Sequence, residues 1–315
     1  MSRTVLRVDS IEKRFEKQTA VERLSFDVTK GEVFALLGPN GAGKTTTIRM
    51  LLGIIQPDSG TVSFTLGNGE STPRPSQIGY LPEDRGLYRD IPVLKTLTYM
   101  GVLRGLEHKD AESQGRSWLE RVKLADRAGD KLETLSKGNQ QKVQFISAIL
   151  HRPEFAILDE PFSGLDPINQ DFFIEIIRDL REKGTTILLC AHQMELVERL
   201  ADRVLLLNRG REMLSGTLAQ TRDHATAVNK VVVRVRENAD LAQIQQSPMI
   251  DHMEHRSVGE FVFYIKRGEP LHKFLIQAAT TLEPIDIHTE KISLHDVFVQ
   301  AVGNHSADID TEHKS

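Results

Sequence analysis

A glycine-rich octet set between two kinds of apolar pattern constrains this chain more than any other stretch. Gly38-Pro39-Asn40-Gly41-Ala42-Gly43-Lys44-Thr45 has the spacing G-x-x-x-x-G-K-T, and Thr46 follows it. Upstream, Val33-Phe34-Ala35-Leu36-Leu37 is a compact apolar run of the kind a buried strand shows. Downstream, Thr47-Ile48-Arg49-Met50-Leu51-Leu52 reads as a helix. Glycine lets the loop backbone curl so that consecutive N–H groups face an anion, and the helix N-terminus adds the positive end of its dipole. Lys44 is placed to reach the β- and γ-phosphates of a nucleoside triphosphate, and the Thr45 hydroxyl to sit on Mg²⁺. Residues 38 to 46 are therefore read as a triphosphate cradle.

The surrounding pattern alternates strand and helix. Phe155-Ala156-Ile157-Leu158, Thr185-Thr186-Ile187-Leu188-Leu189-Cys190 and Val204-Leu205-Leu206-Leu207 are short apolar runs, and a helix from Gln170 to Lys183, ended by Gly184, joins the first two. This predicts an α/β domain with a mostly parallel sheet covered on both faces. Residues 4–9 and 24–29 also read as strands, with Phe15 outside either. From about Pro92 to Pro153 strand signals nearly vanish. Leu94, Leu97, Thr98, Met100, Gly101 and Leu103 form one apolar face, and Trp118, Leu119, Val122 and Leu124 another. That helical insertion closes with Leu135-Ser136-Lys137-Gly138-Asn139 and a helix turning Val143, Ile146, Ile149 and Leu150 inward. Beyond Thr217 the composition changes. Val231–Val235 and Phe261–Ile265 are expected strands of a second, small α+β domain, and Ser293-Leu294-His295-Asp296 opens its last helix with a capping-box pattern, which Gly303 ends. Residues 304–315 are polar and charged and are expected to be disordered.

Two adjacent carboxylates follow the apolar run 155–158. Asp159, at the end of a buried strand, is where a phosphate-loop enzyme holds Mg²⁺, and Glu160 is placed to polarise an attacking water. The bland alternative is that both merely cap the next helix. Phe15 is either a half-buried loop aromatic or a ring that stacks on adenine, and position alone does not separate the two. Cys190, the single cysteine, forbids an intrachain disulfide and reads as a buried structural thiol in a reducing compartment. A net charge of −4 offers no basic platform, so no nucleic-acid partner is expected. No signal-peptide pattern opens the chain, and no apolar stretch approaches the ~20 residues that span a bilayer. His252, His255 and His272 lack metal-ligand spacing and read as surface residues.

With these residues in place, the chain resembles the ATP-binding-cassette (ABC) ATPases. Leu135-Ser136-Lys137-Gly138-Asn139-Gln140 resembles their signature motif and Ser163-Gly164-Leu165-Asp166 their D-loop. His192 is similar to the switch histidine, Phe15 to the adenine-stacking aromatic and Glu83 to the Q-loop residue. The resemblance covers roughly residues 5–217. It implies a P-loop NTPase (RecA-like) core with an antiparallel β portion and a helical signature subdomain at about 90–153, together forming an ATPase domain over 1–220. A C-terminal accessory domain would occupy 221–303. It implies ATP and Mg²⁺ as cofactors, with Phe15, the loop Gly38 to Thr46, Ser136 and Gly138 on the nucleotide, and Thr45, Glu83 and Asp159 on the metal. Lys44, Glu160 and His192 would be catalytic. Two cassettes would face head to tail, each completing the other's γ-phosphate site through Ser136, so this single-cassette chain would need a second copy or a similar chain.

Two motifs depart from the commoner pattern. Glu83 stands where glutamine is usual, and a carboxylate is a stronger ligand for hard Mg²⁺ than an amide oxygen. In the signature motif Lys137 and Asn139 stand where glycine and glutamine are usual, Lys137 either as a cation near the opposing phosphate or simply in solvent. The wording Leu81-Pro82-Glu83-Asp84-Arg85-Gly86-Leu87-Tyr88 narrows the resemblance to ATPase subunits of sodium, drug and antibiotic exporters, which often carry a small C-terminal domain. The expected function is to power a separate integral membrane permease from the cytoplasmic face of the cell membrane. The alternative is an ABC ATPase acting on ribosomes or DNA, but such proteins usually carry two cassettes or a long coiled coil, and neither is found.

Overall fold

The computed structural model describes residues 3–16, 18–67, 72–84, 86–225, 227–236 and 240–302. Gly303 and the tail 304–315 lie outside the described residues, as does Arg85. The chain forms two compact units, Met1–Ser215 and Gly216–Ser315.

The first unit opens with β1 (Thr4–Phe15), β2 (Gln18–Thr29), β3 (Val33–Leu37), α1 (Lys44–Leu51), β4 (Ser59–Phe64) and β5 (Ile78–Leu81). The helical insertion follows as α2 (Val93–Leu103), α3 (His108–Arg121) and α4 (Lys137–Ile149). Then come β6 (Phe155–Asp159), α5 (Pro167–Glu182), β7 (Thr186–Ala191), α6 (Met194–Glu198), β8 (Arg203–Asn208) and β9 (Arg211–Thr217), the last reaching the boundary between units. A six-stranded sheet has the order β5-β6-β7-β3-β8-β9, and its neighbours from β5 through β8 run parallel. β3, β6 and β7 are buried along their whole length, as near-continuous apolar strands covered on both faces must be. A second sheet, β2-β1-β4, is antiparallel. Leu6, Val8 and Leu24 of that sheet share one core with Ile48 and Leu51 of α1 and with Phe34, Ile157 and Leu188 of the parallel sheet.

This topology positions the site. β3, β6 and β7 are neighbours in register and end together, Leu37 opposite Ala191 and Asp159 opposite Cys190. The glycine loop leaves β3, the two carboxylates leave β6, and His192 leaves β7. The candidate phosphate loop, carboxylates and histidine are thus delivered to the carboxyl edge of one sheet, where open α/β sheets bind ligands.

Three local expectations are corrected. β1 and β2 run to Phe15 and from Gln18, so Phe15 is the last residue of a strand rather than a loop aromatic. Bulges and positive φ at Ser10 (50°) and Arg23 (45°) break the alternation that would have marked the full strands. α5 starts at Pro167, three residues before Gln170, because Asp166 caps it by accepting from the Asn169 N–H and proline suits the first turn. Leu103, assigned to the apolar face of α2, is instead exposed at 55%. In the rest of the insertion Leu97, Leu119, Val122, Val143, Ile146, Ile149 and Leu150 are buried, and Phe145 of α4 meets Phe173 of α5 with ring centroids 4.6 Å apart.

The second unit holds α7 (Leu218–Asp223), β10 (Ala227–Arg234), α8 (Ala242–Gln245), β11 (Ile250–Ser257), β12 (Glu260–Lys266), α9 (Leu271–Leu282) and β13 (Asp286–Lys291). A last helix, α10, spans 294–302. Its sheet is antiparallel with the order β11-β12-β10-β13. Val231, Val233, Phe263 and Ile265 on one face bury against Phe274, Ala278 and Leu282 of α9. On the other face Lys230 Nζ meets Asp296 Oδ2 at 2.5 Å, with both side chains under 10% exposed, and the Tyr264 hydroxyl lies 3.1 Å from Asp296 Oδ1. Burial alone would raise the Asp296 carboxyl, but the Lys230 ammonium and the Ser293 donors outweigh it and hold it below the usual aspartate range.

Candidate functional site

The loop from Asn40 to Thr46 lines a groove of about 400 Å³, together with Glu83, Asp159 and Glu160. Glycine is obligatory at two of its corners. Gly38 has φ +154° and a Cβ there would stand 2.3 Å from the Leu207 carbonyl oxygen; Gly43 has φ +106° and its Cβ would stand 2.5 Å from the Ala20 carbonyl oxygen. α1 starts at Lys44 with no side chain capping it, so its first-turn N–H groups face the groove as donors for an anion. Lys44 is 7% exposed, and its Nζ donates to the carbonyls of Gly38 (2.7 Å) and Pro39 (3.2 Å), drawing the ammonium back across the loop.

The acidic side of the groove carries more negative charge than its cations offset. Asp159 is 1% exposed, and its Oδ2 is buried without a hydrogen-bond partner. Burial first, then Glu83 and Glu160, push its carboxyl up to about 7 against the pull of Lys44 and Arg49. An orphaned carboxylate oxygen, a second carboxylate and the half-buried Thr45 hydroxyl form an all-oxygen donor set, and such a set fits a hard divalent cation.

Glu160 sits in a strained turn. Its φ is +51°, a left-handed conformation that costs a non-glycine residue of order 1 to 3 kcal/mol. The turn is held by its N–H donating to the Cys190 carbonyl (2.9 Å) and its own carbonyl accepting from the Ser163 N–H (3.1 Å). The carboxylate is 9% exposed, and its Oε2 lies 2.9 Å from Nδ1 of the half-exposed His192. The turn thus aims Glu160 into the groove and hands it a histidine from the neighbouring strand.

Other expected site residues stand apart from this groove. Ser136 and Lys137 are exposed, and Ser136 caps α4 by accepting from the Asn139 N–H at 3.3 Å. A Cβ on Gly138 would meet the Gly164 carbonyl oxygen at 3.4 Å, so the signature turn and the stretch Ser163–Asp166 lie side by side. Phe15 is 48% exposed with Lys13 Nζ 5.8 Å from its ring centroid, and its cross-strand partner Gln18, rather than Phe15 itself, lines the groove. The sequence reading missed two residues that touch the site's backbone, Gln141 and Gln144 of α4. The available signal was two glutamines three apart among Val143, Phe145 and Ile146, which is too polar for a helix face that is otherwise core.

A glycine loop and lysine at the carboxyl edge of a parallel sheet, facing an orphaned carboxylate and a second one aimed by strain, define a phosphate-loop nucleoside triphosphatase. The family model for ABC transporters matches residues 21–163. The uncharacterized ABC transporter ATP-binding protein YhaQ of Bacillus subtilis (strain 168) is 37% identical over 300 residues, spanning 95% of this chain and 99% of the relative. Nod factor export ATP-binding protein I of Paraburkholderia xenovorans (strain LB400) is 33% identical over 315 residues, spanning 98% and 100%. A solved ATP binding subunit of an ABC transporter superposes with a TM-score of 0.63 at 32% identity, over 70% of this chain and 92% of that one. The chain belongs to the ABC transporter ATP-binding subunits, and its first unit is an ATP-hydrolysing cassette.

Proposed function

We propose that this chain is the ATPase of an exporter, driving a separate membrane permease through ATP-dependent pairing of two cassettes at the cytoplasmic face. The observation that carries the pairing is the separation just described: Lys44, Asp159 and Glu160 converge on one groove, while Ser136 and Gly138 lie outside its lining. A second chain would bring its Ser136 hydroxyl and the N-terminal end of its α4 to the γ-phosphate. ATP would lie along Asn40–Thr46, with Phe15 stacked on adenine and Lys44 released from Gly38 and Pro39 to the phosphates. Thr45, Asp159 and Glu83 would hold Mg²⁺, which when bound neutralises charge on the β- and γ-phosphates. Glu160 would take a proton from the attacking water, and His192, held at its carboxylate, would steady the γ-phosphate side of that geometry.

Support for export comes from the Nod factor export relative, which matches along its full length, second unit included. Support for a permease comes from a groove of about 590 Å³ on the helical insertion, lined by Leu94, Thr98, Tyr99 and Val102. Tyr88 and Tyr99 beside it are 54% and 48% exposed with ring centroids 6.3 Å apart, an apolar surface suited to a partner's helix. No helix among the described residues is long and apolar enough to cross a membrane, so the translocation path belongs to another chain in this reading.

Glu160→Gln with ATP and Mg²⁺ tests the pairing. Without the base, the closed pair should persist and elute as a dimer in size-exclusion chromatography, and a monomer under those conditions would refute it. Detergent extraction from native membranes should recover a multi-spanning protein with this chain; its repeated absence would remove the permease.

A further inference from the structure

Glu83 stands on an exposed bend just past the end of β5, yet the backbone on both sides of it is held from the interior. Gln144 of α4, 4% exposed, donates from Nε2 to the carbonyl of Pro82 at 3.1 Å and to that of Asp84 at 2.9 Å. A carboxamide nitrogen has two N–H donors, and both are spent on the carbonyls that bracket this one residue. Bridging them closes a ring around Glu83 and sets the direction in which its side chain leaves the backbone. Burying a carboxamide is costly unless its donors are satisfied, so the bridge resists being broken.

Gln141, one turn earlier, also donates to backbone carbonyls at the second outer carboxylate. It is 3% exposed, and its Nε2 donates to the Pro161 carbonyl at 3.2 Å, one residue beyond Glu160. Residues three apart share a helix face, so one side of α4 grips the chain next to both outer carboxylates of the site. The same helix begins at the Ser136 cap.

We propose that Gln144 is a positioning residue for Glu83, setting how that carboxylate is presented to the divalent cation at Asp159 and Thr45. The inference rests on reading Glu83 as a metal ligand. A Gln144 that merely satisfied loop carbonyls would matter for stability alone. One that positions Glu83 matters for the metal specifically, even though it touches neither metal nor nucleotide.

Binding of N-methylanthraniloyl-ATP to the full chain, followed by fluorescence in EDTA and across a Mg²⁺ titration, separates these outcomes. Gln144→Met keeps the side chain's length and removes its donors. It should raise the half-saturating Mg²⁺ concentration about tenfold, the scale of an outer-sphere loss at a metal site, and leave binding in EDTA within about twofold. Gln144→Asn, one methylene shorter but still a donor, should fall between wild type and Gln144→Met. The inference is overturned if Gln144→Met keeps the wild-type Mg²⁺ requirement, or if it weakens binding equally with and without Mg²⁺. Glu83→Ala in the same titration separates the two layers. If Glu83→Ala shifts the Mg²⁺ requirement and Gln144→Met does not, the ligand reading stands and the positioning inference fails. If Glu83→Ala shifts nothing, both fall together.

Discussion

Replacing Glu160 with glutamine should stabilise the nucleotide-free first unit, and only towards alkaline pH. The reporter is Asp159, whose carboxyl is lifted from the ordinary 3.8 to about 7 by burial first, then Glu83, then Glu160. Over that interval the folded chain keeps a proton that the unfolded chain has released. The contribution of Asp159 to stability therefore falls as pH rises from about 4 to about 7 and is level above that. The whole displacement is about three pKa units, or ~4 kcal/mol at 1.36 kcal/mol per unit. Burial survives the substitution and Glu83 still faces Asp159, so removing Glu160 returns only a minor share of this, on the order of 1 kcal/mol. Glutamine preserves the shape and can still accept a hydrogen bond from Nδ1 of His192, now 2.9 Å from the carboxylate. A gain of about 1 kcal/mol in a unit this size raises Tm by about 2–4 °C. Differential scanning calorimetry in EDTA should show that gain near pH 8 and its disappearance by about pH 5.5, where Asp159 is protonated in both proteins. Glu83→Gln should give an equal or larger gain, because the charge of Glu83 raises Asp159 more than that of Glu160 does. A gain independent of pH, or a loss of stability near pH 8, would refute the assignment of this strain to clustered carboxylates.

Other substitutions test the loop, an interior histidine and the second unit. Gly38→Ala puts a Cβ 2.3 Å from the Leu207 carbonyl, so the loop must shift and ATP affinity in a fluorescence titration should fall at least about tenfold. His151 is buried with Nε2 3.1 Å from the Ile78 carbonyl, and burial chiefly pushes its pKa down to about 4. Its contribution is lost as pH falls below about 6.5, by up to ~2 kcal/mol after allowing for partial solvent access. His151→Gln, which keeps an N–H donor, should therefore lose less Tm than the wild type between about pH 6.5 and 4.5. Lys230→Met strands Asp296 in the interior and should cost about 3 kcal/mol, read as faster hydrogen exchange over residues 227–302. Adding Asp296→Leu should restore most of that protection, whereas a further loss would mean that the pair itself is strongly stabilising.

The phosphate cradle, β3, β6, β7 and the inward face of α4 were legible because burial on both faces writes itself as unbroken apolar runs, and because the glycine spacing answers to backbone geometry. β1 and β2 were legible only in part, since the turns at Ser10 and Arg23 shift the side-chain alternation midway. β11 and β13 were invisible: their sequences, Ile250–Ser257 and Asp286–Lys291, are mostly polar on both sides, as the two outer strands of a four-stranded sheet can be. Within the site, Asp159, Glu160 and His192 could be placed because Asp159 ends a strand and the other two directly follow one. Gln144 could not, because its importance lies in two backbone carbonyls about 60 residues away in sequence, and no side-chain motif records a bond to a carbonyl.

The Cys190 carbonyl steadies the turn at Glu160. Cys190 is also the chain's single thiol, wholly buried on β7 between β3 and β6, and burial above all pushes its pKa well above the ordinary cysteine range. A thiol in that place meets an alkylating reagent only when the central sheet parts, because the thiolate must first be exposed to solvent. The protein thereby carries its own clock. The rate at which Cys190 is labelled counts openings of the three strands that deliver the loop, the carboxylates and the histidine, and any ligand seated at their ends should slow that count by mass action.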